Sequence, residues 1–325
     1  MILIVTVAQD LHALAVQKHV REAGACDCHI VECDRVAQRP GITYAIGHSV
    51  QDTVLTSEDR AVSISEAAVL WLRTIRAEQI LQHPVEDETA KAIINNDCRG
   101  GLLGLLATQF AGRWISTPEA TYRGSDKIAQ LNAAYACGFR VPRTLVSQSR
   151  KDVLEFYEAC GGEVVVKTVI GAPGPFLETR TLDPDRFDDA AFAAAPAIYQ
   201  EYIPGSDHLR LICLGDSSYA ARIRTPDLDW RVNLNVPIES YVVPQELHGA
   251  VRSVLDRLRL EMGIVDLKLT PEDEPVWLEV NPQGQFLFLD SFTDLRLAAK
   301  FAEYLISEAR SGARDSADLC DGWST

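Results

Sequence analysis

Two alternating apolar runs, Ile264–Leu269 and Val276–Val280, flank the short polar stretch Pro271–Pro275. That pattern is a β-hairpin signal. A loop centred on Glu272 and Asp273 has even length and sets Asp266 directly across from Glu279. Asn281 follows two residues later and projects from the same face as Glu279. Like charges facing each other across strands are destabilising, so two carboxylates and an amide oxygen on one face ask for a cation. All three donors are hard oxygens, which suits Mg²⁺ better than zinc. The competing reading is a surface hairpin with a solvated face. The strand stop Pro282-Gln283-Gly284-Gln285 directly after the acids argues against it. The register depends on loop length, because an odd loop would move Asp266 off that face.

With 325 residues the chain is long enough for two or three domains with real cores. A net charge of −15 argues against a general binder of nucleic acid or anionic membrane. No apolar run approaches the roughly 20 residues of a membrane span. The start MILIVTVAQD reads as a strand and lacks the basic region and cleavage pattern of a signal peptide. A cytoplasmic protein is therefore expected. The 8 cysteines are scattered. Cys26, Cys28 and Cys33 cluster with His29, which admits a metal site, but reduced thiols on an alternating strand are the preferred reading.

The first third reads as a small α/β unit. Strands are expected over Ile2–Val7, His29–Cys33, Ile42–Ile46 and Ala67–Leu72, with helices over Leu11–Ala23 and Asp87–Ala111, the second interrupted at Gly100-Gly101. It has no G-x-G-x-x-G turn, and the chain has no Walker A loop. Trp114–Ala120 reads as a crossover or linker. Beyond it, helices are expected over Ser125–Cys137, Lys151–Cys160, Pro244–Met262 and Asp294–Arg310. Strands are expected over Pro142–Val146, Glu163–Val169, Ile198–Tyr202, Leu209–Leu214 and Tyr219–Arg224, with a loop at Gly171–Pro175.

Lysines and arginines precede the acids. Lys127 falls in the first turn of its helix, and Lys167 follows Val164-Val165-Val166. A lysine after three buried valines needs an anionic partner, or else snorkels to water. Arg222 and Arg224 are two apart in one strand and share a face. With Arg210 and Arg231 they are candidates for a guanidinium cluster suited to phosphate or carboxylate, although each could also lie on an exposed strand face. Cations, an acid cluster and a Gly-Pro loop together fit phosphoryl transfer from a nucleotide.

The order Lys127, Lys167, Gln200-Glu201-Tyr202-Ile203, Arg210, Asp266 and Glu279-x-Asn281 resembles the ATP-grasp superfamily over roughly Trp114 to Arg310. Asn-Pro-Gln-Gly-Gln followed by an aromatic, and Trp71-Leu72-Arg73 in the first third, resemble the graspetide (microviridin-type) macrocyclases most. The stretch DWRVNLNVPIE also resembles the RimK-like ligases. The resemblance implies an α/β and α+β chain: an N-terminal α/β pre-grasp domain over 1–112, a central lobe over 113–203, a C-terminal lobe with the metal site over 204–310, and a polar tail over 311–325. It implies that Lys127 and Lys167 hold the ATP phosphates and that Glu201, Tyr202 and Ile203 frame adenine. It further implies that Asp266, Glu279 and Asn281 bind two Mg²⁺ ions, and that Arg210, Arg222 and Arg224 meet the γ-phosphate or the acceptor carboxylate. The implied reaction phosphorylates a side-chain carboxylate of a precursor peptide (leader plus core), then closes an ω-ester or ω-amide ring. The alternative is addition of an amino acid to a protein or small-molecule carboxylate. No nucleic acid or membrane partner is expected, and a homodimer is allowed. One departure stands out. Many relatives carry Asp two residues before the arginine of the strand after the hinge, whereas this chain has His208, preceded by Asp207.

Overall fold

The computed structural model describes residues 1–38, 42–44, 54–57, 60–75, 78–170 and 179–320. The Gly171–Pro175 loop and residues 45 and 46 of the expected Ile42–Ile46 strand lie outside them. Residues 42–44 are not in a strand.

Two compact units emerge. The first comprises Met1–Pro118, Gln285–Asp290 and Arg296–Thr325; the second comprises Glu119–Gly284 and Ser291–Leu295. The C-terminal helix, Leu297–Cys320, thus belongs with the N-terminal α/β unit and runs into the stretch read as a polar tail.

In the first unit four parallel strands lie in the order Cys28–Glu32, Ile2–Thr6, Val69–Leu72, Arg113–Ile115. Ile2, Leu3, Ile4 and Val5 are all completely buried, as expected of a strand covered on both faces. One cover is the helix Glu88–Gln109 through Leu102, Leu105 and Leu106. It passes Gly100-Gly101 without a break, because packing of that leucine face outweighs a propensity cost of about 1 kcal/mol per glycine. Trp114 lies in the edge strand rather than in a linker, and a helix follows at Pro118–Gly124. Asp10 caps the Leu11–Ala23 helix, accepting from the N–H groups of His12 (2.9 Å) and Ala13 (3.3 Å). The same carboxylate accepts from Thr6 Oγ1 at 2.7 Å and Arg73 Nε at 2.6 Å. Burial raises the Asp10 pKa, but the contacts with His12, Thr6 and Arg73 win and hold it well below the ordinary carboxylate range. The 285–290 segment is fastened by His12 Nε2, which accepts from the N–H groups of Phe286 (3.1 Å) and Leu287 (3.2 Å).

The second unit holds two antiparallel sheets. The smaller has the order Thr144–Ser147, Ala197–Glu201, Val164–Thr168, Arg180–Thr181. The larger has the order Ile238–Tyr241, Ser217–Arg224, Asp207–Leu214, Met262–Leu269, Pro275–Asn281. One face of the larger sheet, carrying Leu209, Leu211, Val265 and Leu267, packs on the helices Lys127–Ala136 and Gln245–Leu258. The opposite face is the one that carries the chemistry.

A glycine joins the sheets. Gly205 has φ 125°, and a Cβ there would lie 2.5 Å from the Leu269 carbonyl oxygen. Gly205→Ala is expected to destabilise this unit by about 1–3 kcal/mol through backbone strain alone, with the clash adding to it. A thermal unfolding midpoint equal to wild type would contradict that.

Candidate active site

The hairpin does place Asp266 against Glu279, but by another route than an even loop. The turn is odd: Leu269 pairs with Pro275, Thr270 N–H donates to Glu274 O, and Asp273 takes φ 61°, the usual form of a three-residue hairpin. A register shift between Asp266 and Leu267 then absorbs one residue, because Leu267 pairs with Trp277 while Asp266 pairs with Glu279. Leu278 is the extra residue of a β-bulge. The bulge turns Trp277 into the helix-packed core and lets both Leu278 and Glu279 line a cavity.

That cavity has a volume of about 1120 Å³ and lies within the second unit. Its floor is the chemical face of the larger sheet, with His208, Asp266, Lys268 and Glu279. Lys167 and the Gln200–Ile203 hinge enter from the smaller sheet, Lys127 from a helix start and Arg231 from the turn Trp230–Val232. Asp126 caps that helix, accepting from Ile128 N–H at 2.8 Å. Lys127 Nζ in turn donates to Thr168 O at 3.0 Å, which gathers the two expected lysines. Burial lowers the Lys167 pKa, and the charges of Lys127 and Arg231 lower it further, against Glu279 and Asp229. Among the described residues the Lys167 ammonium makes no ion pair.

Arg210 Nη1 donates to Asp266 Oδ2 at 2.6 Å, with both side chains about nine-tenths buried, and the guanidinium lies 5.4 Å from the Trp230 ring centroid. The other oxygen, Asp266 Oδ1, is buried without a hydrogen-bond partner. Burial raises the Asp266 pKa most, Arg210 opposes, and Glu279 adds to the rise. A carboxylate orphaned in this way, facing a second one, fits a divalent cation, which reverses the local electrostatics. Among the described residues no three His, Cys, Asp or Glu side chains cluster as ligands. Asn281 pairs with Ile264, is exposed, and presently accepts from Gln283 N–H at 3.2 Å.

The expected cluster of Arg210, Arg222 and Arg224 does not form. Arg210 pairs with Ala221, so Arg222 pairs with Leu209 on the opposite face of the sheet, and Arg224 shares that face. Both are held by Asp207, at 2.7 Å (Arg222 Nη2) and 3.0 Å (Arg224 Nε). Arg231 lines the cavity instead, in a two-bond pair with Asp229 at 2.8 and 2.6 Å. At the hinge, Glu201 accepts from Arg143 Nε at 2.5 Å, and Tyr202 N–H donates to Glu163 O. That leaves the Ile203 N–H without a partner among the described residues. Reading by motif also passed over Lys268, whose Nζ lies 3.0 Å from His208 Nε2. Alternation alone places it on the Asp266 face.

No family model matches the chain. Among curated proteins it is similar to an alpha-aminoadipate–LysW ligase, LysX, of Sulfurisphaera tokodaii, with 25% identity over 178 residues, 51% of this chain and 62% of that protein. It is also similar to a probable alpha-L-glutamate ligase of Serratia proteamaculans, with 29% identity over 212 residues, 62% of this chain and 69% of that one. The chain thus spans under two thirds of the length of the LysX relative. Two solved structures match nearly the whole chain at a TM-score of 0.81 and 22% identity. One is macrocyclase MdnC bound with precursor peptide MdnA, from Microcystis aeruginosa MRC, covering 94% of this chain and 98% of that one. The other is a Chryseobacterium gregarium RiPP-associated ATP-grasp ligase in complex with ADP and a leader and core peptide, covering 94% and 96%. The chain has the ATP-grasp fold. The cavity lies between the two sheets of the second unit. Among the described residues no helix is long and apolar enough to cross a membrane.

Proposed function

We propose that the chain is an ATP-dependent carboxylate ligase that activates a side-chain carboxylate of a ribosomal precursor peptide and closes an ω-ester or ω-amide ring. The observation that carries this reading is the facing pair Asp266 and Glu279. It stands with one buried oxygen of Asp266 unpartnered, in a cavity that also takes in Lys127, Lys167 and Arg231. The peptide reading draws support from two neighbours of matching length, whose structures hold precursor, or leader and core, peptides.

The Ile203 N–H and the hinge carbonyls face the adenine edge, while Lys127 and Lys167 take the phosphates. Asp266, Glu279 and Asn281 would hold Mg²⁺, two ions in this proposal, supplying positive charge against the transferring phosphoryl group. Arg210 keeps Asp266 oriented from beneath, and Arg231 presents a guanidinium to the acceptor carboxylate or the γ-phosphate. The acceptor oxygen attacks the γ-phosphorus, the bond to the bridging oxygen breaks, and ADP leaves. A hydroxyl or amine of the same peptide then attacks the acyl carbon, and phosphate departs as that nucleophile loses its proton. Dryness of the cleft matters, because water would hydrolyse the acyl phosphate.

A second reading, transfer of a free amino acid to a carboxylate, is favoured by the two curated relatives. Both readings share the acyl phosphate. Incubation with Mg-ATP, a Thr/Glu-rich peptide and hydroxylamine is expected to trap a hydroxamate on an Asp or Glu side chain. Phosphate found on a Ser or Thr hydroxyl, or no ADP release, would contradict carboxylate activation. Lys167→Met is expected to weaken ADP binding by about ten- to a hundredfold, the value of a charge-assisted hydrogen bond; unchanged affinity in calorimetry would remove Lys167 from the nucleotide site.

A further inference from the structure

Lys268 and His208 are each 3% exposed, yet both line the nucleotide cavity. They pair directly across the strands Asp207–Leu214 and Met262–Leu269, one step from the Arg210–Asp266 pair on the same face. With Lys268 Nζ at 3.0 Å from His208 Nε2, the neutral ring accepts one hydrogen bond from the ammonium. A lysine has three donors, so two remain. Among the described residues no carboxylate lies in ion-pair range of this amine. The nearest acid in sequence to its partner, Asp207, is held on the other face by Arg222 and Arg224.

A buried cation whose holder is a neutral ring has unsatisfied charge, and the open side of this one is the cleft. Its place along the strand sets which part of a ligand it meets. Residues two apart on one strand face are about 6.6–6.8 Å apart. Lys268 lies on the hinge side of Asp266, since Leu269 abuts Gly205, just after the hinge. A nucleotide reaching from Ile203 to the acids therefore lays its sugar and first phosphate over Lys268.

We infer that Lys268, oriented by His208, is a third phosphate-binding lysine of this cleft, taking the phosphate nearest the sugar of a nucleoside di- or triphosphate. The inference rests on the nucleotide reading above. It assigns His208 a positioning role at the site where relatives were expected to place a carboxylate.

The test is titration calorimetry on the full chain with ADP, AMP and adenosine, in wild type, Lys268→Met, Lys268→Arg and His208→Leu. Lys268→Met is expected to weaken ADP and AMP about tenfold or more while leaving adenosine affinity unchanged, which is what loss of one charge-assisted contact to phosphate gives. Lys268→Arg should recover most of the loss, and His208→Leu should weaken ADP and AMP with adenosine spared. Equal loss for all three ligands would make the pair merely structural and overturn the assignment, as would unchanged ADP affinity in Lys268→Met. If wild type itself binds no adenine nucleotide, the nucleotide reading falls and this inference with it. If wild type binds and the variant matches it, only the inference falls.

Discussion

Glu279→Gln is expected to lower peptide-dependent ADP release by about 10²–10³-fold, the usual consequence of removing one preorganised charge-stabilising group. Asp266→Asn should do the same. Neither change removes a packing group, because glutamine and asparagine keep the size of the acids they replace. The stability effect has the opposite sign from the activity effect. Glu279 and Asp266 face each other as Cα partners, and like charges directly opposite are destabilising without a cation. Glu279→Gln should therefore unfold at the wild-type temperature or above it in metal-free buffer. Mg²⁺ should stabilise wild type and not the variant. A steady-state ADP assay and a thermal melt with and without Mg²⁺ check both parts. Near-wild-type turnover would remove these residues from the metal role.

Asp10→Ala is expected to cost the first unit about 3–5 kcal/mol, the usual penalty for removing one partner of a buried ion pair. Asp10 and Arg73 are both 8% exposed, and their contact is 2.6 Å. The substitution removes the Asp10 contact of the Arg73 guanidinium and also uncaps the Leu11–Ala23 helix. A pH signature accompanies it. The folded-state pKa of Asp10 lies below its ordinary value. Its stabilising contribution is therefore fully present above about pH 4, the unfolded value, and fades as pH falls towards the folded value. The gap in stability between wild type and Asp10→Asn should be constant near neutrality and shrink in acid. Denaturant melts at pH 7 and pH 3 measure it. A gap that widened in acid would contradict the assignment.

The acid pair was legible in the sequence because a polar turn between two alternating runs admits few registers. An even loop would produce the same pairing. The molecule uses an odd loop and then recovers the register with the Leu278 bulge. Nothing in local propensity marks that bulge; it is selected by the need to bury Trp277 among the helices while Glu279 faces the cleft. The arginines show the converse case. Leu214 pairs with Ser217 across the two-residue turn Gly215-Asp216, so the sequence already opposes Arg210 to Ala221 and sends Arg222 and Arg224 to the other face. Counting register across that hairpin, rather than grouping arginines by type, separates them. Lys268 was hidden for a different reason. A lysine between two leucines in an alternating run reads as an ordinary strand residue, and only its cross-strand neighbour His208, 60 residues away, makes it a buried cation in the cleft. The Gly100-Gly101 pair suggests an interrupted helix, yet Glu88–Gln109 is continuous because the local glycine cost is small beside three buried leucines.

The most direct test of ring closure on a peptide is the intact mass of a short Thr/Glu-rich candidate precursor peptide after co-expression with this chain. Loss of one water for each ring is expected, with the loss absent in Glu279→Gln. A mass gain equal to an added amino acid residue would contradict macrocyclisation and move the chain to the amino-acid ligase reading.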